Sequence, residues 1–255
     1  MQNNSTKKRI STSILVKASL LATISIVLTR FLSPMIFLGG VPALRIGFGS
    51  IPLIMSGMMF GPVIGAITGV VADLVGVLIN PQGSFFPGFT LSSALYGVIS
   101  GLLYQNLKIH KLKINFNLIN ALVMVIFALA MFGYMFAEEL IIIEGGLPIA
   151  NDPYALPVSV MIIVAALIFI FMPFVFGKWF KDHETGVRYD KIAFNVNVTY
   201  VIISLLLNTL WLSMMFDKGF MLLLPGRIIA AIAIIPIYTI IIYTLGRYIN
   251  LTENK

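Results

Sequence analysis

Apolar runs of about 20 residues, recurring along the whole chain with short polar breaks, constrain this sequence more than any other feature. Such runs match the ~30 Å hydrocarbon core of a bilayer when coiled as α-helix. Only 11 % of the 255 residues are charged and 59 % are hydrophobic. A soluble domain of this size carries roughly 25 % charged residues, so no water-facing surface could be assembled here. In lipid, every backbone polar group must be satisfied internally, which leaves helices or closed barrels. Barrel strands would read as alternating segments of ~10 residues, and these runs do not alternate. The expected fold class is all-α, a polytopic membrane helical bundle.

Eight spans are expected, at 12–37, 43–60, 62–80, 88–107, 117–137, 156–177, 194–215 and 222–246. The first follows Lys7, Lys8 and Arg9, as a signal peptide would. It is too long for an h-region of ~7–15 residues and reads as a retained span. With both termini cytoplasmic, 13 of the 17 basic residues fall inside, among them Lys17, Lys108, Lys111, Lys113, Lys178, Lys181, Arg188, Lys191, Arg247 and Lys255. The outer loops hold Glu138, Glu139, Glu144, Asp152 and Asp217, with Lys218 their only base. The positive-inside rule fixes this orientation.

Three arginines then stand apart on the outer side: Arg30 late in span one, Arg45 at the start of span two, and Arg227 early in span eight. A single terminal arginine could simply snorkel to the headgroups. Three on one face of so weakly charged a protein point to a functional site. The arginine fork suits carboxylates and phosphates, so the expected ligand has an anionic end. Asp73 lies within span three. A lone carboxylate there must be paired, protonated or ligand-facing, and Arg30 or Arg45 could pair with it.

The uncharged stretch from Asn80 to Thr90 presents Phe85, Phe86 and Phe89 between prolines. It reads as an interfacial aromatic belt or as a stiff lid over a flat ligand. Asn208, Thr209 and Trp211 lie in the outer half of span seven, as interhelical glue or as a pocket wall. Gly57, Gly61, Gly65 and Gly69, and Gly97 and Gly101, recur at four-residue intervals and read as close helix packing. Ala18 and Ala22 make a similar pair on span one, for packing or for docking another membrane subunit.

Several chemistries are missing. Cysteine is absent, and the two histidines, His110 and His183, both fall in basic cytoplasmic segments. No cofactor or metal site is expected. No P-loop, H-E-x-x-H or G-x-S-x-G motif occurs. Glu138-Glu139 lacks the partners of an intramembrane protease and reads as a solvated loop. An enzyme is not expected, although an intramembrane one is the least favoured alternative.

The segments Leu44–Leu53, Met59–Pro62, Ala72–Gly76, Gly83–Ser92 and Leu207–Ser213, taken in order, resemble the folate-specific S components of energy-coupling factor transporters. The resemblance implies a vitamin-binding membrane subunit without its own ATPase. It would take folate from outside and work with a coupling transmembrane subunit and two ATP-binding subunits, in a bacterial plasma membrane. The alternative within that class is another vitamin or anionic precursor. Ligand-binding roles would fall on Arg30, Arg45, Phe48, Asp73, Phe85, Phe86, Pro87, Thr90, Asn208, Trp211 and Arg227. Docking of the coupling subunit would fall on Ala18 and Ala22. Such proteins usually have six spans, so residues 114–192 read as an inserted two-span hairpin between a core of 1–113 and a core of 193–255. No nucleic-acid partner is expected.

Overall fold

A computed structural model describes residues 11–38, 41–45, 47–112, 114–144, 147–151, 155–179 and 188–249. Lys7, Lys8, Arg9, Lys113, Asp152, Lys181, His183 and Lys255 lie outside them. The chain runs through α1 (Thr12–Arg30), a hairpin of β1 (Met35–Leu38) and β2 (Val41–Arg45), α2 (Ser50–Phe60), α3 (Pro62–Ile79) and α4 (Pro87–Gly101). It continues through α5 (Phe116–Ala137), a hairpin of β3 (Ile141–Glu144) and β4 (Leu147–Ala150), and α6 (Ala155–Trp179). Then come α7 (Tyr189–Tyr200), α8 (Asn208–Phe216) and α9 (Phe220–Tyr248). A π-helical stretch, Val201–Leu207, makes α7 and α8 one continuous rod, and Leu102–Asn106 extends α4 in the same way. Six of these helical rods are long and apolar enough to cross a membrane, and α2 is a shorter apolar helix.

The all-α bundle matches the sequence reading, with corrections at the first two spans. Helix α1 stops at Arg30, not near residue 37, and α2 begins at Ser50, not near 43. The intervening apolar residues form an antiparallel hairpin that pairs Met35 with Arg45 and Ile36 with Leu44. Pro34 explains the stop, since the residue before a proline is driven out of the helical region. Helix α2 has 11 residues, and at 1.5 Å per residue it reaches only about halfway across the core. The expected loop through Thr90 also ends early. Pro87 sits at the first turn of α4, where a missing N–H costs nothing.

Glycine positions set how closely α2, α3 and α4 approach. A Cβ on Gly97 would stand 2.2 Å from the Gly65 backbone, and one on Gly69 would stand 2.0 Å from the Ser93 carbonyl oxygen. Backbone meets backbone there, so the packing reading holds for Gly57, Gly65, Gly69, Gly97 and Gly101; Gly61, with φ +89° and nothing within 4 Å of its Cβ position, instead turns the chain between α2 and α3. Ala18 and Ala22 are also buried within the chain, at 8 % and 4 % exposure, on a helix that packs against α2 and α3. Little of either side chain is left exposed for the docking expected of them. The lipid-facing side of α1 carries Leu15, Val16, Leu20, Ile24 and Val27 instead.

Helices α5 and α6 pack on each other and on α7 and α9. Polar groups set the register of that contact. Asn197 donates to Asn120 Oδ1 at 2.8 Å, and Asn120 donates to the Phe169 carbonyl at 3.0 Å. At the basic end, the Phe116 amide donates to Asp190 Oδ2 at 3.1 Å, and Arg188 pairs with the same oxygen at 3.0 Å. That satisfies one of the amides a helix start leaves open.

Candidate functional site

The outer half of the bundle encloses a cavity of about 430 Å³, within the usual size range of small-molecule sites. Its wall is drawn from α1, the β1–β2 hairpin, the start of α2, α3, the 80–86 loop, α4, the α7–α8 rod and α9. Helix α2 starts only at Ser50, and Gly47 and Gly49 just before it line the cavity.

Arg30 enters from the last turn of α1. Its Nη2 lies 3.0 Å from Asp73 Oδ1, and the other carboxylate oxygen accepts from Thr90 at 2.7 Å. Both partners of the pair are largely buried, at 7 % and 12 % exposure. Gly76 provides the room, since a Cβ there would meet Arg30 Nε at 2.8 Å. Of the alternatives open for Asp73, pairing with Arg30 is the one observed, and Asp73 is held by its own chain. The Arg30 carbonyl, orphaned at the helix end, accepts from Asn80 at 3.0 Å and from Gln82 at 2.6 Å. Those two bonds fasten the 80–86 loop over α1 and bring Phe85 and Phe86 to the cavity.

Arg45, at the end of β2, also lines the cavity. Burial and then the nearby Arg30 lower its pKa to about 10, with Asp73 opposing them in part. It stays charged at neutral pH, but in a setting that favours an added anion. Arg227 reaches the wall from α9 and donates to the Ser204 carbonyl at 2.8 Å. Ser204 lies in the π-helical stretch, a local widening frequent at functional sites. Among the described residues lining the cavity, three arginines face a single carboxylate, Asp73. The wall thus carries a formal charge of two positive.

Aromatic groups flank these charges. Phe85, Phe86 and Phe89 line the cavity near Leu212 and Phe216. Phe86 meets Phe89 edge-on at 5.9 Å and lies 6.0 Å from Trp211. Trp211 itself stands behind the wall, where its indole N–H donates to Ser92 at 3.1 Å. Gly88 clears the space, as a Cβ there would stand 2.5 Å from Phe86 and 2.7 Å from Trp211.

The cavity brings together seven of the expected ligand residues: Arg30, Arg45, Asp73, Phe85, Phe86, Asn208 and Arg227. Four stand outside its wall. Thr90 and Trp211 brace Asp73 and Phe86, Pro87 starts α4, and Phe48 packs 6.3 Å from Tyr238 while remaining 39 % exposed. The sequence reading missed a polar floor of Tyr96, Tyr200, Tyr238, Ser50, Ser92, Ser93 and Ser204. One signal was present: a tyrosine deep in an apolar span needs a partner for its hydroxyl. Gln82 Oε1 and Asn208 Oδ1 are buried at the wall without a hydrogen-bond partner. These acceptors suit N–H donors on a ligand.

Residues 13–150 match the family described as ECF transporter, substrate-specific component. A folate transporter, FolT, of Clostridium novyi (strain NT) is 44 % identical over 97 residues, which are 38 % of this chain and 54 % of that protein. The match thus spans about half the length of that relative. A solved structure described as FolT bound with folic acid is similar with a TM-score of 0.54 and 22 % identity, covering 93 % of this chain and 94 % of that one. At that identity the likeness is one of fold.

Proposed function

We propose that this chain, which belongs to the substrate-specific components of ECF transporters, captures folate in the outer cavity and hands it inward. It is a multi-pass membrane protein and not an enzyme. The observation that carries the folate reading is the doubly positive wall beside a cluster of phenylalanines. Folate has a flat pterin ring and a dicarboxylate tail. Phe85, Phe86 and Phe89 offer faces and edges to the ring, and Arg45 and Arg227 offer forks to carboxylates. Asn208 and Gln82 have acceptors for pterin N–H groups. Arg30 and Asp73 serve mainly to hold the wall, since each is engaged by the other. The name of the Clostridium relative supports the same ligand.

No P-loop is present in these 255 residues, so the work of import falls to partners: a coupling transmembrane subunit and two ATP-binding subunits. We place an accessory pair of spans at α5 and α6, within residues 114–192. Size supports this. The 97 matched residues are 54 % of the Clostridium protein, which puts its length at about 180 residues against 255 here. The boundary at 114 is read from this chain's own hairpin; the family match runs on to residue 150.

Equilibrium binding of folate to the purified full chain, with biotin, thiamine and riboflavin as controls, tests the reading. Saturable one-to-one binding of folate, unaffected by the controls, is expected. Binding of a control in place of folate would overturn the ligand while leaving the transporter class.

A further inference from the structure

The segment that presents Arg45 is clamped between two helices. On the α1 side, Gly47 and Gly49 press directly on side chains. A Cβ at Gly47 would fall 1.6 Å from Ser33 Oγ, and one at Gly49 would fall 1.8 Å from Thr29 Oγ1. Ser25 donates to the Gly49 carbonyl at 2.6 Å. On the opposite side stands Tyr238 of α9. Its hydroxyl donates to the Gly47 carbonyl and lies 2.9 Å from Ser50 Oγ, which can donate back. The ring is 2 % exposed and meets Tyr200 edge-on at 5.9 Å. Gly47 is only two residues from Arg45.

We propose that Tyr238 is a positioning residue for Arg45, latching the β2–α2 connection to α9 so that the guanidinium faces the cavity. A carbonyl held inside the bundle must find a donor, and Tyr238 is the donor observed on the Gly47 carbonyl. The connection contains two glycines, which have the widest choice of backbone conformations once a restraint is lost. The reach from Gly47 to Arg45 is at most ~7 Å, so a shift in one is transmitted to the other. This rests on Arg45 being a ligand contact.

Dissociation of folate from the purified full chain, followed by stopped-flow tryptophan fluorescence, tests the latch in Tyr238→Phe, Arg45→Gln, Arg227→Gln and the two double variants containing Tyr238→Phe. Phenylalanine keeps the ring packing and removes only the hydroxyl. Tyr238→Phe should speed dissociation about tenfold, the typical effect of one buried hydrogen bond. The same change should have less than about a twofold effect in the Arg45→Gln background and its full effect in the Arg227→Gln background, because residues that act through one another are not additive. An equal effect in both backgrounds, or none in the single variant, would overturn the latch. Unchanged binding in Arg45→Gln alone would instead overturn the ligand role of Arg45, and the latch with it. If Tyr238→Phe does not insert, Ser25→Ala frees the same segment from α1 and must show the same dependence on Arg45.

Discussion

Replacing Arg45 with glutamine should separate affinity from stability. In the empty protein, Arg45 is a charge held near Arg30 in a buried wall, and its pKa falls from 12.5 to about 10. That drop corresponds to about 3 kcal/mol of disfavour for the charged form, an upper bound because the wall opens to solvent when the site is empty. Removing the charge relieves this cost, so the ligand-free variant should melt no lower than the parent. Bound ligand reverses the balance. A carboxylate held by an arginine fork gains about 1.5–3 kcal/mol, which is roughly 10- to 150-fold in affinity. Folate titration by calorimetry, beside melting of the empty protein in nanodiscs, reads both quantities. The reasoning fails if affinity stays within about twofold, or if the empty variant loses stability, since Arg45 would then be a structural charge. Stability yielded to function in this way is common at binding sites.

Asp73→Asn should do the opposite. It breaks the buried pair with Arg30 and should cost about 3–5 kcal/mol of stability, largely restored by a second change, Arg30→Met; equal melting temperatures for Asp73→Asn and the parent would contradict the pairing. The Arg45-dependent part of folate affinity, taken as the parent against Arg45→Gln, should be flat from pH 7 to 9 and fall as pH rises through about 10. A bound carboxylate lifts the Arg45 pKa above its free value, so the complex keeps a proton that the empty site gives up, and a flat profile to pH 10.5 would argue against that. Gly97→Ala should push α3 from α4, because its Cβ would meet the Gly65 backbone at 2.2 Å, at a cost of about 1–3 kcal/mol seen as a lower melting temperature. Asn197→Leu should loosen α5 by about 0.6–1.7 kcal/mol, read as faster amide exchange in α5 with folate binding retained.

The helical spans were legible because hydropathy over 20 residues is a strong and local signal. The expected orientation rests on the lysines, which sort by side. The β1–β2 hairpin was not, since Met35 to Arg45 is as apolar as the spans around it and only Pro34, Gly39, Gly40 and Pro42 hint at a break. The arginines, Asp73 and the loop phenylalanines stood out as residues that lipid would reject or that lie in an unusual loop. Tyr96, Tyr200 and Tyr238 did not, because a tyrosine in an apolar run looks like bulk until its hydroxyl partner is known. That partner comes from another helix: Ser50 is 188 residues away from Tyr238. Ala18 and Ala22 show the same limit from the other side. A small-residue pair states that something approaches closely, and only the packing of α1 on α2 and α3 states what. Thr90 and Trp211 were found by their chemistry, yet each acts one layer behind the wall.

Whether folate is the native ligand is answered by mass spectrometry of small molecules released from the full chain, purified from cells grown with a mixture of vitamins. A pteroyl compound should be released in one-to-one ratio with the protein, and in a lower ratio from Arg45→Gln. Release of a different anionic vitamin from the parent protein, with folate unable to compete for the site, would contradict the folate reading.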